Sequence, residues 1–264
     1  MSRVPLEPFT TFEERFLSAA RTRRDLVFVS HVFFNSGFAL NIGMLNDIAE
    51  EAMLVIDGYH GFMAYSTDLS GLAGRVFYLA GGYKYAMAGE GACFMHCPPG
   101  WGPRPRDTGW YAAFGTLSNV QRGQVGYSHD GWRFMGATFD PSGLYRFNAV
   151  MRWLANKGIT VEAIHDHAHS LQDSFLRLLP DSAEFLKAGM VLPLNELRRG
   201  NFLTFELTHA QQLQDALKLR RVVTDIRGDR LRIGFGLYQT VDEVHELVQR
   251  LDEGYCRVSG HRAH

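Results

Sequence analysis

Four short apolar segments, separated by polar stretches, most strongly constrain how this chain can fold. They are LVFVSHVFF (26–34), AMLVIDGY (52–59), RVFYLAGG (75–82) and ACFMHC (92–97). Runs of this length, rich in Val, Ile and Phe, predict strands that are buried rather than alternating. A helix-compatible stretch, MLNDIAEEA, lies between the first two segments. The pattern therefore predicts an α/β layer with a mostly parallel sheet.

The C-terminal part of the chain has a different rhythm, in which helices and antiparallel-type strands follow each other. The predicted elements are helices at 144–158, 160–179 and 209–219, a strand at 201–207, two strands in RRVVTDIRG and RLRIGFGLY, and a closing helix capped by Thr240 and Glu243. We therefore predict a large α/β domain over residues 1–154 and a smaller α+β domain over residues 155–264. The stretch 98–131 is dense in Pro, Gly and aromatic residues and predicts an irregular loop rather than a helix.

The composition narrows the functional classes. Of the 264 residues, 46% are hydrophobic and 21% charged, and the net charge of −1 gives no indication of a nucleic-acid-binding surface. The longest apolar run, 26–40, contains Ser30, His31 and Asn35 and is too short and polar to span a bilayer. Three cysteines without scaffold-like spacing, and no apolar signal segment at the N-terminus, predict a cytoplasmic protein that binds neither nucleic acid nor membranes.

Polar residues follow three of the predicted strands. Their sequences are NSG at 35–37, DGYH at 57–60 and GGYK at 81–84. Because ligands bind beyond the carboxyl ends of the strands in open α/β sheets, we expect Asp57, His60 and Lys84 to converge at one edge. Lys84 is the only charged residue between Arg75 and Glu90. An apolar, glycine-lined pocket would favour its neutral amine, which is the form that attacks a carbonyl.

An acid, a histidine and an isolated lysine form the arrangement that a pyridoxal phosphate site requires. The lysine amine forms the Schiff base, and a carboxylate beside the pyridine nitrogen keeps that nitrogen protonated. Each residue alone has an ordinary structural alternative. Asp57 is also a plausible turn or cap residue, and Lys84 a cation–π partner of Tyr83 and Tyr85. It is their combination that favours the cofactor site.

Four motifs of the chain resemble kynureninase, a member of the class V aminotransferase group of fold-type I pyridoxal phosphate enzymes. They are VIDGYHG, GGYKYAMAGEGACFMH, GWYAAFG and GDRLRIGFGLYQTVDEV, in the same order and at roughly the same spacing over residues 25–252. The resemblance implies a fold-type I architecture, with a mostly parallel large-domain sheet and a C-terminal α+β small domain. It also implies pyridoxal 5'-phosphate as cofactor, an amino acid as substrate and a homodimer as assembly.

The same resemblance implies a role for each cofactor-site residue. Lys84 would carry the aldimine and move protons, while Asp57 would pair with the pyridine nitrogen. His60 would support the ring or the Asp57 side chain. Tyr83 would reach the cofactor phosphate and is a candidate proton donor, and Trp110 would lie near a phosphate, often that of the partner subunit.

Two further residues concern the substrate. Arg232 would hold the α-carboxylate, a task suited to a planar guanidinium, and a charge inside LRIGFGLY is in any case unusual for a purely structural strand. Asp140 precedes Pro141 in GATFDPSG, where kynureninase has Asn-Pro-Pro. A carboxylate thus replaces an amide, which leaves the substrate open between kynurenine and another amino acid.

The resemblance is incomplete at the N-terminus. Family members grip the cofactor phosphate with a glycine/threonine turn at a helix N-terminus, and no such turn is identifiable before residue 25. We therefore expect an N-terminally truncated large domain. Two functions remain open: a pyridoxal phosphate-dependent enzyme, kynureninase-like or class V aminotransferase-like, and a non-catalytic protein that acts as a binding partner.

Two other motifs have structural interpretations. His165 and His169 in HDHAH are one helical turn apart, but no carboxylate completes a recognised metal motif, so we predict an exposed or interfacial helix face and no metal site. Cys93 and Cys97 in CFMHC are predicted to form a buried core pair on one face of a strand.

Overall fold

The computed structural model describes residues 1–22, 24–119, 123, 126–192 and 198–259. The strands are β1 (Leu26–Ser30), β2 (Met53–Asp57), β3 (Val76–Gly81), β4 (Cys93–His96), β5 (Phe202–Glu206), β6 (Asp225–Arg227) and β7 (Arg230–Gly234). The helices are α1 (Phe9–Ala20), α2 (Ser142–Asn156), α3 (Val161–Leu178), α4 (Glu184–Ala188), α5 (Ala210–Lys218) and α6 (Val241–Ser259). Across these described ranges, none of the helices has the length and apolar character needed to span a bilayer.

The chain folds as two compact units. The first comprises Met1–His31, Asn41–Tyr59 and Thr67–Trp153, and the second comprises Val32–Leu40, His60–Ser66 and Leu154–His264. Two short segments from the N-terminal half therefore fold with the C-terminal half. The division into continuous domains at residues 1–154 and 155–264 stays a prediction.

The first unit contains a four-stranded sheet in the order β1-β2-β3-β4. The first two pairings are parallel and the third is antiparallel, so the α/β prediction is confirmed. In the register of the sheet, Asp57 pairs with Ser30 on one side and with Leu79 on the other. The carboxyl ends of three adjacent strands therefore lie at the same edge.

Burial differs from the prediction in three of these four strands. In β2, buried residues alternate with half-buried ones. Five of the six residues of β3 are buried, as expected, but β1 alternates, and its Leu26 and Phe28 are 53% and 55% exposed. Successive side chains of a strand point to opposite faces, so only one face of β1 is covered in the part of the chain that is described. Strand β4 lies at an edge of the sheet, and there Cys93 is exposed and Cys97 half-buried. The prediction of a buried cysteine pair is wrong.

The stretch predicted to be an irregular loop, 98–131, contains a 3-10 helix, Trp110–Asn119, and a second 3-10 helix, Gly131–Phe134, begins at its last residue. The prediction of a loop without a helix is therefore wrong. Two contacts hold the short helices in place: the rings of Tyr111 and Trp132 lie 5.4 Å apart, and Oδ1 of Asp130 accepts the N–H of Trp132 at 3.0 Å. Aromatic packing and a side-chain cap thus offset the low helix propensity of the sequence.

The second unit contains an antiparallel sheet in the order β5-β7-β6. Its core includes buried residues of α3, α5 and α6, such as Leu171, Leu213 and Leu251. Helix α6 begins with the predicted capping box, in which Thr240 N–H donates to Glu243 at 2.8 Å and Thr240 Oγ1 accepts the Glu243 N–H at 3.3 Å.

Candidate functional site

The amine of Lys84 lies beside two tyrosine rings in the first unit, at similar distances from both. Its Nζ is 5.7 Å from the centre of the Tyr59 ring and 5.6 Å from the centre of the Tyr83 ring. The two ring centres are 5.7 Å apart. These distances are within the range of cation–π interactions, so the rings hold the amine at the end of β3.

Glycine at position 81 permits this arrangement. A Cβ atom built on Gly81 would lie 2.8 Å from Cε1 of Tyr59 and 2.9 Å from Cε1 of Tyr83. Both distances are shorter than carbon atoms in contact normally allow, so a larger residue would push the rings apart. The close packing of the two rings thus explains why residue 81, three positions before the lysine, is a glycine.

The backbone around Lys84 forms a tight turn. The N–H of Ala88 donates to the carbonyl of Gly82 at 2.7 Å, and the N–H of Met87 donates to the carbonyl of Lys84 at 3.0 Å. Arg146, on α2, donates from Nε to the carbonyl of Ala88 and from Nη2 to that of Glu90. The guanidinium therefore fixes the end of the turn that carries the lysine.

Asp57 is connected to Lys84 through Tyr59. It is the last residue of β2, and its Oδ1 accepts the N–H of Tyr59 at 3.1 Å. The ring of Tyr59 then contacts the Lys84 amine. The Asp57 carboxylate and the Lys84 amine thus lie near the ends of neighbouring strands, and Tyr59 contacts both of them.

The two phenols beside the amine titrate above their ordinary range. A hydrogen bond with the Cys93 side chain, followed by burial and nearby negative charge, raises the pKa of Tyr59 to about 12. Burial is the largest cause that raises the pKa of Tyr83, and the charges of Cys93, Glu90 and Asp57 add to it. Both phenols therefore stay protonated at neutral pH, and each retains an O–H to donate.

His60 and Arg232 lie together in the second unit, on two shared aromatic rings. The His60 ring centre is 5.5 Å from that of Phe34 and 5.5 Å from that of Phe202. The Arg232 guanidinium carbon lies 3.6 Å from the centre of the Phe34 ring and 5.4 Å from that of Phe202. Stacking on aromatic faces is a frequent way to hold a planar guanidinium.

Arg232 also has two polar partners. Its Nη1 donates to the carbonyl of Phe34 at 3.0 Å, and its Nη2 forms an ion pair with Asp225. The residue is only 9% exposed. Arg232 is therefore a buried, oriented cation on the central strand of its sheet.

The other two predicted site residues have different neighbours. Trp110 is 51% exposed, and its ring lies 5.1 Å from that of Tyr111 and 5.8 Å from that of Phe114. Oδ1 of Asp140 accepts both the N–H of Ser142 at 2.9 Å and its hydroxyl at 2.6 Å, at the start of α2. These bonds lower the pKa of Asp140, and the carboxylate acts as a helix-start acceptor.

The structure thus assembles the predicted residues in two groups. Asp57, Tyr83 and Lys84 are in the first unit, and His60 and Arg232 are in the second. Sequence reasoning missed Tyr59 and Phe34, the rings on which Lys84 and Arg232 lie. The only signal for Tyr59 was its place inside DGYH, between two residues already selected for their chemistry.

The histidines of HDHAH bond to backbone carbonyls within the second unit. Nδ1 of His165 lies 3.0 Å from the carbonyl of Ala64, and Nε2 of His169 lies 3.0 Å from that of Arg199. Burial, followed by the charges of His165 and Arg199, lowers the pKa of His169 to about 4. No group of three or more potential metal ligands occurs among the residues that the structure describes.

Comparison with known proteins reveals two kinds of similarity. Residues 164–251 match the family model of the kynureninase C-terminal domain. The kynureninase of Deinococcus radiodurans is 26% identical over 218 residues, which cover 80% of this chain and 52% of that protein. The kynureninase of Pseudomonas fluorescens is 26% identical over 253 residues, which cover 86% and 55%. The chain therefore spans about half the length of the curated relatives it matches.

Among solved structures, the apo cysteine desulfurase of Thermococcus onnurineus NA1 superposes with a TM-score of 0.76 at 17% sequence identity, over 94% of this chain and 63% of that one. At this identity the likeness shows the fold alone. The fold is that of the fold-type I pyridoxal phosphate enzymes, and the sequence is similar to that of kynureninase. The predicted fold class and the predicted similarity to kynureninase are therefore confirmed.

Proposed function

We propose that this chain, which is similar to kynureninase over most of its length, binds pyridoxal 5'-phosphate and acts on an amino acid. The observation that carries the proposal is the Lys84 amine, which contacts the rings of Tyr59 and Tyr83 near a strand end and is connected to Asp57 through Tyr59. An amine, a carboxylate and a phenol are the donors that this cofactor needs for its aldehyde, its pyridine nitrogen and its phosphate. The donor set therefore fits the aldehyde and the pyridine nitrogen, and for the phosphate it offers the Tyr83 phenol, since no glycine/threonine turn is identifiable before residue 25.

The cofactor supplies an aldehyde that takes up amines and a pyridine ring that withdraws electrons from bonds at the substrate Cα. In this proposal the Lys84 amine would hold the cofactor through its aldehyde carbon, with release of water, and would move protons at the substrate carbons. Asp57 faces the pyridine nitrogen as a carboxylate. Tyr83 would donate its O–H to the phosphate and is a candidate proton donor. Trp110 lies near a phosphate in the assembled homodimer.

The second group of residues serves the substrate in the same proposal. Arg232 binds the α-carboxylate, for which its buried and stacked guanidinium is suited. His60, as in related enzymes, would support the cofactor ring or the Asp57 side chain. Asp140 contributes to the choice of amino acid, as a carboxylate in place of an amide. The reaction is kynureninase-like or class V aminotransferase-like, in a cytoplasmic protein.

The proposal is tested by titrating the protein with pyridoxal phosphate and recording the visible absorbance of lysine-bound cofactor. We expect a saturable band for the natural chain and none for Lys84→Arg, which keeps the charge but does not react. Equal bands in both proteins would contradict the assignment of Lys84. A well-folded natural chain without a band would instead favour the non-catalytic binding function.

A further inference from the structure

Arg232 already holds a carboxylate, and that carboxylate belongs to the same sheet. Asp225 of β6 is the cross-strand partner of Arg232 in β7. Paired residues of adjacent strands present their side chains on the same face, and here they form an ion pair. The position that the proposed function gives to a substrate carboxylate is thus taken by a side chain.

The pair is unequally exposed. The side chain of Arg232 is 10% exposed, whereas that of Asp225 is 41% exposed. Of the two charged side chains, Asp225 is thus the more open to solvent and Arg232 the more shielded.

Asp225 is also bonded to a second arginine, Arg227. Its Oδ1 accepts from Nη1 of Arg227 at 2.8 Å and from the N–H of Ile226 at 2.9 Å. These bonds use the oxygen that does not contact Arg232, because the ion pair with Arg232 is made through Oδ2. Asp225 would keep both hydrogen bonds when it leaves Arg232. The loss of the ion pair with Arg232 is therefore the main free-energy cost of the displacement.

Two positive charges lie close together beside Asp225. The guanidinium carbons of Arg227 and Arg232 are 5.1 Å and 3.6 Å from the centre of the same ring, that of Phe34. Both arginines form ion pairs with Asp225. A carboxylate that enters here therefore meets two guanidinium groups that share one carboxylate side chain.

We propose that Asp225 is an internal competitor at Arg232, displaced from Arg232 when the carboxylate of a substrate binds and still bonded to Arg227 afterwards. This inference rests on the proposed role of Arg232, and it adds a residue that sets the affinity for carboxylates. A receptor that is occupied by its own side chain about 90% of the time binds an external ligand about tenfold more weakly. Asp225 would thus lower affinity without touching the reacting atoms.

The test uses the full 264-residue chain without added cofactor, and propionate as the probe. Propionate has a carboxylate but no amine, so its binding is independent of Lys84 and of pyridoxal phosphate. Phenylglyoxal modifies accessible guanidinium groups, and peptide mass spectrometry reports the rate at Arg232. The propionate concentration that halves this rate is compared between the natural chain, Asp225→Asn and Asp229→Asn, an exposed control on the same hairpin.

We expect Asp225→Asn to lower the half-protecting concentration about tenfold, and Asp229→Asn to leave it unchanged. An unchanged or higher value in Asp225→Asn would overturn the inference, because Asp225 would then orient Arg232 rather than compete for it. Absence of protection at Arg232 in all three proteins would overturn it as well. If the protein shows no absorbance band with pyridoxal phosphate, the proposed function is contradicted. The propionate assay still gives a result in that case, because it contains no cofactor.

A second measurement needs no variant and applies if Asp225→Asn does not fold. In the natural chain, propionate should slow the modification of Arg232 and should not accelerate that of Arg227, since Asp225 keeps its bond to Arg227 when it leaves Arg232. Faster modification of Arg227 on addition of propionate would contradict the proposed exchange.

Discussion

The amine of Lys84 lies 5.7 Å from the centre of the Tyr59 ring, and the backbone N–H of the same tyrosine binds the carboxylate of Asp57 at 3.1 Å. Tyr59 thus joins the two groups on which the proposed cofactor chemistry depends. Its own phenol is held neutral by a pKa of about 12. The tyrosine therefore adds no charge between the acid and the amine.

Substitution of Gly81 should disturb this arrangement. In Gly81→Ala the new Cβ would lie 2.8 Å and 2.9 Å from the rings of Tyr59 and Tyr83, so at least one ring must move away from Lys84. We expect weaker uptake of pyridoxal phosphate and a loss of about 1–3 kcal/mol in the free energy of unfolding. Absorbance titration and urea denaturation measure the two effects.

Gly74→Ala is the matched control, since a Cβ at Gly74 has no heavy atom within 4 Å. It should change stability by less than about 0.5 kcal/mol and leave cofactor uptake intact. Equal effects of the two substitutions would show that the ring contacts at Gly81 do not position Lys84.

Asp140 should stabilise the start of helix α2 through its acceptor oxygen. Asp140→Ala removes the acceptor of the Ser142 hydrogen bonds at the start of α2, and we expect its Tm to fall by about 2–4 °C. Asp140→Asn keeps an acceptor oxygen and should retain the Tm of the natural chain. If Asn lowers the Tm as much as Ala, the carboxylate charge rather than the acceptor stabilises the helix start.

Stability should decrease in mild acid. Burial lowers the pKa of His31 to about 4, from 6.5 in an unfolded chain, so the folded state favours the neutral ring. This contribution is fully present above pH 6.5 and is lost as the pH falls towards 4, because the unfolded chain then binds more protons. The shift corresponds to ~3 kcal/mol for His31 over this interval.

Urea denaturation at several pH values measures this dependence. His31→Gln should flatten the decline between pH 6.5 and 4, and a residual slope is expected because the pKa of His169 is lowered to about 4 as well. His129→Gln, at an exposed position, serves as control and should keep the natural slope. An unaltered slope in His31→Gln would contradict the role of the buried ring.

The neighbourhood of Asp57 and Lys84 was predictable because it follows from a general property of parallel strands. Both residues come directly after apolar runs, and the carboxyl ends of adjacent parallel strands share an edge. The hydrophobic pattern and composition of those runs can be read from a few consecutive residues. No knowledge of the tertiary contacts was needed.

The pairing of Arg232 with Asp225 was not predictable in the same way. It depends on the register between β7 and a strand of only three residues, which tertiary contacts determine. The exposure of Cys93 was also missed, since apolar composition alone does not reveal that β4 lies at an edge of the sheet. Tyr59 has an ordinary strand-end sequence, and its contact with Lys84 appears only in three dimensions.

The most direct test of the central claim is borohydride reduction of the protein with bound pyridoxal phosphate, followed by peptide mapping. The chain contains four lysines, Lys84, Lys157, Lys187 and Lys218, so the site of attachment can be assigned without ambiguity. We predict that the reduced phosphopyridoxyl group is found on Lys84, in an amount that saturates at one per chain. Label spread evenly over the four lysines, or absent from Lys84 in a well-folded protein, would contradict the account.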